Sequence, residues 1–241
     1  MTKSKIFCIG LSRTGTVSIC EALEILGYRT LHFSLGLFVN QNAIDDNLHF
    51  EPRQRLGLYK SWQRNRELSY INRVFDRSTL ENYAAFGDLP IPLFYKELDQ
   101  KFPRSKFIYT YRDEQKWLKS MKWLYETGAV LWKHGYIDDE IKYAAYTSFR
   151  YDEEALLKAY RKHHKDVLDY FKDREDDILY LNIDKKRITF KPLCSFLNEP
   201  LPDEDYPVSN AAKSVGLMEK INYRMTRTIP FYGMFKRKLF G

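Results

Sequence analysis

Short apolar runs alternate along this chain with longer segments whose apolar positions recur at helical spacing. Five runs are predicted as strands: residues 6–9, 28–33, 84–86, 106–111 and 177–182. Helical spacing is found at residues 19–26, 94–102, 113–125, 152–171 and 190–197. Strands that alternate with helices favour one mostly parallel sheet covered on both faces. We therefore expect an α/β fold, as a single three-layer α/β/α domain over residues 1–241.

The turn between the first predicted strand and the first helix contains Gly10 and Gly15. Such a turn directs backbone N–H groups and the positive end of a helix at one point, which suits a phosphate or sulfate. The spacing approaches a Walker A loop, but Thr16 and Val17 stand at its lysine and metal-binding hydroxyl positions. The turn offers one guanidinium and three hydroxyls instead: Arg13, Thr14, Thr16 and Ser18. These groups suit an anion other than a magnesium-bound triphosphate, and a plain strand–helix connection is an equal alternative.

The net charge of +7 is concentrated near the C-terminus. Residues 211–241 contain seven Lys or Arg and one acidic residue, Glu219, whereas the rest of the chain is close to neutral. Since no nucleic-acid-binding motif accompanies this charge, nucleic acid is not an expected partner. Aromatic side chains in the same segment leave two interpretations open, contact with a membrane surface or folding back onto the domain.

The cysteines and the N-terminal sequence give an expectation for the cellular compartment of the protein. Three cysteines, Cys8, Cys20 and Cys194, show no paired spacing, and no apolar run has the length of a membrane span. Ser12 and Arg13 interrupt the first apolar run, which argues against a signal peptide. We expect reduced thiols in a cytoplasmic protein, with peripheral membrane contact through the basic C-terminal segment as the alternative. The oligomeric state has no signal in the sequence.

Polar side chains follow other predicted strands at the point where each strand ends. Asp88 comes after the strand at residues 84–86, and Arg112 follows the strand at residues 106–111. Ligands of parallel sheets bind beyond the carboxyl ends of strands. Ser120 lies about two helical turns beyond Arg112, on the order of 10 Å along the helix axis. An arginine and a hydroxyl so placed suit one phosphate, or Arg112 pairs with a neighbouring carboxylate.

Together these features resemble the P-loop sulfotransferases, in particular a compact branch whose first loop reads G-x-x-R-T-G-T-x-S. Residues 10–18 match that loop. Further matching blocks follow in the same order: residues 88–90, 94–98, 102–103, 109–113, Trp117, Ser120, 192–197, 202–203, 206–207 and Asn210. Residues 34–83 and 123–176 match only in helical character. They would be helical elements on the acceptor side, so the resemblance leaves the acceptor unidentified.

The resemblance implies 3′-phosphoadenosine 5′-phosphosulfate as sulfuryl donor, with no metal. Its 5′-phosphosulfate would lie against six residues of the first loop: Arg13, Thr14, Gly15, Thr16, Val17 and Ser18. Arg112 and Ser120 would hold the 3′-phosphate, and Lys213 would lie beside the phosphates where the C-terminal segment closes over the nucleotide. Arg13 stands where many relatives have lysine, and either cation can stabilise charge on the leaving phosphate.

Transfer to a hydroxyl needs a base for the hydroxyl proton. The resemblance places an aspartate before Leu-Pro in that role, which is Asp88 here, with His32 at the end of the second predicted strand as runner-up. In the alternative, Asp88 caps the helix that begins near Pro90 and His32 makes a structural hydrogen bond. The implied activity is sulfuryl transfer to a hydroxyl of a small-molecule acceptor, with an amine as second choice.

Two other classes of function stay open. A P-loop nucleotide or small-molecule kinase would use the same loop, although Thr16 and Val17 disfavour it. A non-catalytic module that binds anions or membrane surfaces would use the loop and the basic segment and leave Asp88 idle. Eight aromatic residues between positions 123 and 151 fit either packing between helices or a lid over an acceptor pocket.

Overall fold

The structure, a computed structural model, describes residues 4–32, 81–126, 143–148, 150–185 and 188–208. Its strands are β1 (Ile6–Cys8), β2 (Thr30–His32), β3 (Ala85–Gly87), β4 (Lys106–Tyr111) and β5 (Ile178–Asn182). The helices with bounds in these ranges are α1 (Thr16–Ile25), α2 (Tyr95–Lys101), α3 (Glu114–Glu126), α4 (Glu153–Phe171) and α5 (Phe190–Leu197). Short 3-10 turns span Ile91–Leu93 and Glu175–Asp177. The predicted strands and helices are thus confirmed, with small changes at their ends.

The strands form one parallel sheet in the order β2-β3-β1-β4-β5. Ile6 of β1 is paired with Ala85 of β3 on one side and with Lys106 of β4 on the other. After β1, the chain forms β2 and β3 on one side of this strand. It then crosses over and forms β4 and β5 on the other side. Ligands of open parallel sheets bind beyond the carboxyl ends of the strands at such a reversal of order. The end of β1 is therefore the expected place for a site.

Successive side chains of the strands pack on opposite faces of the sheet. One face forms a core with α2 and α4 that includes Phe7, Phe107 and Phe171, all fully buried. The other face forms a core with α1 and α5 that includes the thiols of Cys8 and Cys20. Helices therefore cover both faces of the sheet, and the prediction of a three-layer α/β/α fold is confirmed.

A third core joins α3 and α4 to the loops that follow β1 and β3. Trp117 of α3 is fully buried, and its ring centroid lies 4.4 Å from that of Tyr160 on α4. Leu11 and Leu89, one from each loop, belong to the same core. The two loops are thus fixed by buried side chains as well as by the strands that they follow.

The ends of the helices follow from local sequence. Gly27 adopts φ 83° after α1 and completes a Schellman arrangement with the last turn of that helix. Asp113 caps α3 by accepting from two backbone N–H groups at 3.0 Å, and Asp152 caps α4 by accepting from one at 3.1 Å. Within the described ranges, no helix combines the length and apolar character needed to cross a membrane.

Several sequence predictions concern residues that the structure does not describe. These are most of the segment 34–83, part of the segment 123–176, and the whole basic segment 211–241 with Lys213. The single-domain boundary and the roles given to these segments stay predictions.

Candidate functional site

Residues 10–18, here called the glycine loop, connect the central strand β1 to α1. Gly10 is required by a close approach, because a Cβ atom there would lie 2.0 Å from Oγ1 of Thr110 on β4 and 2.6 Å from Oγ1 of Thr14. Gly15 adopts φ 86° at the N-cap position of α1, a left-handed conformation that favours glycine. The glycine loop therefore lies tightly against β4 before it turns into the helix.

The first turn of α1 is the part of the loop best suited to an anion. Thr16, Val17 and Ser18 form this turn, and its N-cap residue, Gly15, supplies no side-chain hydrogen bond. The first N–H groups of a helix have no acceptor within the helix, and the helix end has a partial positive charge. A phosphate or sulfate would satisfy both.

Two threonines of the loop have partners within the chain. The hydroxyl of Thr14 is fully buried, donates to the carbonyl of Leu11 at 2.6 Å, and lies 2.9 Å from Oγ1 of Thr110. Oγ1 of Thr16 lies 3.2 Å from Nε2 of His32. The Thr14 side chain thus shapes the loop, whereas Thr16 links the loop to the end of β2.

Arg13 leaves the loop in a conformation that few non-glycine residues adopt. Its φ is 70°, and such backbone strain costs on the order of 1–3 kcal/mol and is concentrated at functional sites. Nε of Arg13 donates to Oγ of Ser120 on α3 at 2.9 Å, and its guanidinium lies 5.0 Å from the centre of the Trp123 ring. Burial lowers the pKa of Arg13, while the nearby carboxylate of Asp88 opposes this change. A cation is thereby held between the glycine loop and α3.

Arg112 lies just after β4, next to Arg13. Its Nη1 donates to the Arg13 carbonyl at 3.4 Å, and its own N–H and carbonyl are bound by the hydroxyl of Tyr160 at 3.0 and 2.8 Å. Its Nη2 donates to Oδ1 of Asp184 at 3.3 Å, so a pairing with a neighbouring carboxylate is present in the structure. Nε of Arg112 is buried and has no hydrogen-bond partner among the described residues. Arg112 and Ser120 therefore both contact Arg13.

Asp184 is a site residue that the sequence reasoning missed. Its carboxylate accepts from the N–H of Asp113 at 2.6 Å and lies 3.5 Å from Nζ of Lys116, besides its contact with Arg112. A signal was present, since Asp184 comes two residues after the last predicted strand. The strand-end rule that selected Asp88 also applies to it.

Asp88 directly follows β3 and has a left-handed conformation, with φ 61°. Its Oδ1 accepts two hydrogen bonds at 2.7 Å, from Oγ of Ser12 and from the N–H of Leu89. Its Oδ2 lies 3.5 Å from Nε2 of His32. The 3-10 turn at Ile91–Leu93 receives no side-chain cap, so Asp88 does not act as the helix cap of the alternative interpretation.

His32 reaches Asp88 because β2 and β3 are parallel neighbours. The register pairs His32 with Gly87, the residue before Asp88. The exposed fractions of the two side chains are 28% for His32 and 13% for Asp88, so both border solvent. A carboxylate beside an anion-binding helix end can accept a proton from a group that attacks the bound anion.

Ser12 and Tyr146 were also missed as site residues. Tyr146 is fully buried against Trp117, so this member of the aromatic group packs in the core. Its hydroxyl accepts from the N–H of Ser12 at 3.2 Å, across 134 positions of sequence. No local pattern in the sequence signals a contact over such a separation.

The predicted residues thus fall into two groups around the start of α1. On the side of β4 and β5 lie Arg13, Arg112 and Ser120, and on the side of β2 and β3 lie Thr16, His32 and Asp88. Three further predicted residues, Gly15, Val17 and Ser18, belong to the N-cap and first turn of α1. Within the described ranges, no three side chains of metal-ligating type come together.

Comparison with known proteins gives the family. A family model described as "Sulfotransferase domain" matches residues 5–215. The chain is 26% identical over 218 residues to Ava biosynthesis cluster protein M of Aspergillus versicolor, a match that covers 84% of this chain and 79% of that protein. The crystal structure of a sulfotransferase from Alicyclobacillus acidocaldarius is similar with a TM-score of 0.42, at 14% identity over 94% of this chain and 93% of that one. Because the family match covers most of the sequence, this chain belongs to the sulfotransferase domain family.

Proposed function

We propose that this transferase moves a sulfuryl group from 3′-phosphoadenosine 5′-phosphosulfate to a hydroxyl of a small-molecule acceptor. The observation that supports this most is the position of Asp88. Its carboxylate is hydrogen-bonded to the glycine loop through Oδ1, and its Oδ2 faces His32 beside the first turn of α1. A base and an anion-binding helix end are therefore neighbours in one site.

The 5′-phosphosulfate is proposed to lie at the first turn of α1, where N–H groups and the helix dipole favour an anion. Arg13 lies three positions before that turn in the sequence, and its guanidinium would stabilise charge on the leaving phosphate. Ser120 accepts a hydrogen bond from Arg13, and a hydroxyl that accepts one bond can still donate its own proton. Ser120 and the forked guanidinium of Arg112 would thus hold the 3′-phosphate, with Lys213 proposed near the same phosphates.

The transfer itself exchanges one S–O bond for another. The acceptor oxygen attacks sulfur, and the bond between sulfur and the bridging oxygen of the 5′-phosphate breaks. The electron pair of the broken bond stays on that phosphate, which leaves as adenosine 3′,5′-bisphosphate. The hydroxyl proton passes to Oδ2 of Asp88, and an amine acceptor would lose its proton to the same oxygen.

The first test is nucleotide preference, measured by calorimetry with adenosine 3′,5′-bisphosphate and ADP in the presence of EDTA. We expect the bisphosphate to bind at least tenfold more tightly, because one charge-assisted hydrogen bond contributes about 1.5–3 kcal/mol. Arg112→Ala should remove most of this preference and hardly change the affinity for ADP. Preference for ADP, or a strict need for magnesium, would favour the kinase interpretation instead.

Arg161→Ala is the matched control for this experiment. Arg161 is also an arginine with a carboxylate partner, Glu114, but this pair lies exposed between α4 and α3. Its removal should leave both nucleotide affinities within twofold. Equal losses in the two variants would mean that general charge, and not a 3′-phosphate contact, sets the affinity.

A further inference from the structure

Ser12, the third residue of the glycine loop, is fixed at three of its atoms. Its N–H donates to the hydroxyl of Tyr146 at 3.2 Å, and its carbonyl accepts from Nε1 of Trp117 at 3.0 Å. Its Oγ donates to Oδ1 of Asp88 at 2.7 Å. The residue is 2% exposed, so water does not compete freely for these bonds. Both the position of Ser12 and the direction of its hydroxyl are therefore set by the surrounding fold.

The contact with Ser12 distinguishes the two oxygens of the Asp88 carboxylate. Oδ1 accepts from the Ser12 hydroxyl and from the Leu89 N–H, both at 2.7 Å, whereas Oδ2 lies 3.5 Å from His32. Rotation of the carboxylate would exchange these oxygens, and the bond from Ser12 opposes that rotation. The left-handed backbone of Asp88 also persists only where surrounding contacts hold it.

We propose that Ser12 is a positioning residue for the base. Its hydroxyl holds Asp88 so that Oδ2 is the proton-accepting oxygen, at a fixed distance from the loop that binds the donor. This inference rests on the proposed function, in which Asp88 is the base. Because Tyr146 and Trp117 bind the backbone of Ser12, the loop and the base are also fixed to α3 and to the helical residues 143–146.

The other charged or titratable groups near Asp88 stay in place when the Ser12 hydroxyl is removed. Among the described residues these are His32 on β2, Arg13 in the glycine loop, Cys20 on α1, and Tyr146. All four are present in a Ser12→Ala variant, so a change in turnover would be due to the missing hydroxyl.

The direct test is steady-state kinetics with the phosphosulfate donor and water as acceptor, followed by sulfate release. Ser12→Ala should lower kcat about tenfold while the donor KM stays within twofold, because the carboxylate of the base loses one hydrogen bond. Ser12→Thr keeps the hydroxyl and should restore most of the wild-type kcat. An unchanged kcat in Ser12→Ala overturns the inference.

Ser105→Ala is the matched control. Its hydroxyl is equally buried, at 1% exposed for the residue, but donates to the carbonyl of Phe102 at 2.6 Å, away from the site. This variant should leave kcat within twofold of the wild-type value. A loss as large as that in Ser12→Ala would show that loss of any buried hydroxyl disturbs the site, and would overturn the inference.

Kinetics separate a failure of this inference from a failure of the proposed function. The loss of kcat caused by Ser12→Ala should vanish in an Asp88→Asn background, because Ser12 acts through Asp88. Where Asp88→Asn stops turnover and Ser12→Ala leaves kcat unchanged, the inference alone fails. Where Asp88→Asn leaves turnover unchanged, the proposed base fails, and the role of Ser12 with it.

Discussion

The two sides of the glycine loop differ in how they are prepared for a ligand. On the side of β2 and β3, hydrogen bonds from Ser12 and Leu89 occupy one oxygen of Asp88 and leave the other beside His32. On the side of β4 and β5, the guanidinium of Arg112 is already paired with a carboxylate of the chain. The side with the proposed base, called the base side, is therefore complete without a ligand. On the side with the proposed phosphate contacts, called the phosphate side, an anionic ligand has to compete with or share that carboxylate.

The difference has an electrostatic reason. Burial is the larger cause of the lowered pKa of Arg13, and the charge of Arg112 contributes to it, so the two cations are close enough to repel each other. The carboxylate of Asp184, bound to Arg112 and to the N–H of Asp113, offsets this repulsion when no anion is present. Changes on the base side should therefore affect turnover, and changes on the phosphate side should affect affinity.

The largest effect is expected for Asp88→Asn, which keeps the shape of the side chain and removes its proton-accepting charge. We expect turnover to fall by roughly 10²–10⁴, the usual contribution of a general base. Binding of adenosine 3′,5′-bisphosphate, measured by calorimetry, should change less than threefold. A fall in turnover of less than about threefold, which is under ~1 kcal/mol of barrier, would transfer the role of base to His32.

Both sides of the site depend on the position of the glycine loop, and His163 binds Ile9, the residue between β1 and that loop. Nε2 of His163 donates to the carbonyl of Ile9 at 2.8 Å, and burial lowers the pKa of His163 to about 4 while this bond opposes the change. Between pH 6.5 and 4 the unfolded chain therefore binds a proton that the folded chain does not. The free energy of unfolding should fall by up to about 3 kcal/mol over this range as the pH is lowered.

Denaturant unfolding at several pH values measures this effect. His163→Gln retains an amide N–H for the Ile9 carbonyl and removes the titrating ring, so the variant should lose less stability than the wild type between pH 6.5 and 4. The difference between the two curves isolates His163 from the carboxylates that also titrate there. Curves of equal slope would show that the ring is not protected from protons in the folded state.

The smallest effect is expected for Asp184→Asn, which sharpens the contrast on the phosphate side. The variant keeps an acceptor for the N–H of Asp113 and removes the negative charge beside Arg112. We expect adenosine 3′,5′-bisphosphate to bind about threefold to fivefold more tightly at low salt, since two unit charges about 4 Å apart interact by about 1 kcal/mol in water. High salt should reduce the gain. A weaker affinity would show that Asp184 supports Arg112 in binding and does not compete with the ligand.

Local signals in the sequence were sufficient for much of this architecture. The bounds of β4 and α5 coincide with the predicted ones, because regular apolar spacing and clear flanking residues set them. The strand-end rule selected Asp88, and the resemblance gave His32 at the end of the second predicted strand. The register of β2 and β3 brings the two residues together.

The local patterns in the sequence do not predict contacts between distant segments. The roles of Ser12, Tyr146 and Asp184 depend on hydrogen bonds that span 72 to 134 positions, which no spacing rule encodes. Thr14, in contrast, makes a local hydrogen bond that was not predicted from the sequence. The ligand contact that the resemblance implies for Thr14 stays a prediction. In the structure its hydroxyl donates to the carbonyl of Leu11 three residues earlier, a local hydrogen bond that short polar side chains often make.

The two thiols beneath the glycine loop make its movements chemically measurable. Cys8 on β1 and Cys20 on α1 are buried in one core, on the two elements that the loop connects. A hydrogen bond with Cys8, and then burial, raise the pKa of Cys20, so the reactive thiolate of Cys20 is scarce while α1 lies against the sheet. The rate at which an alkylating reagent modifies Cys20 therefore reports how often α1 separates from the strand at the centre of the site.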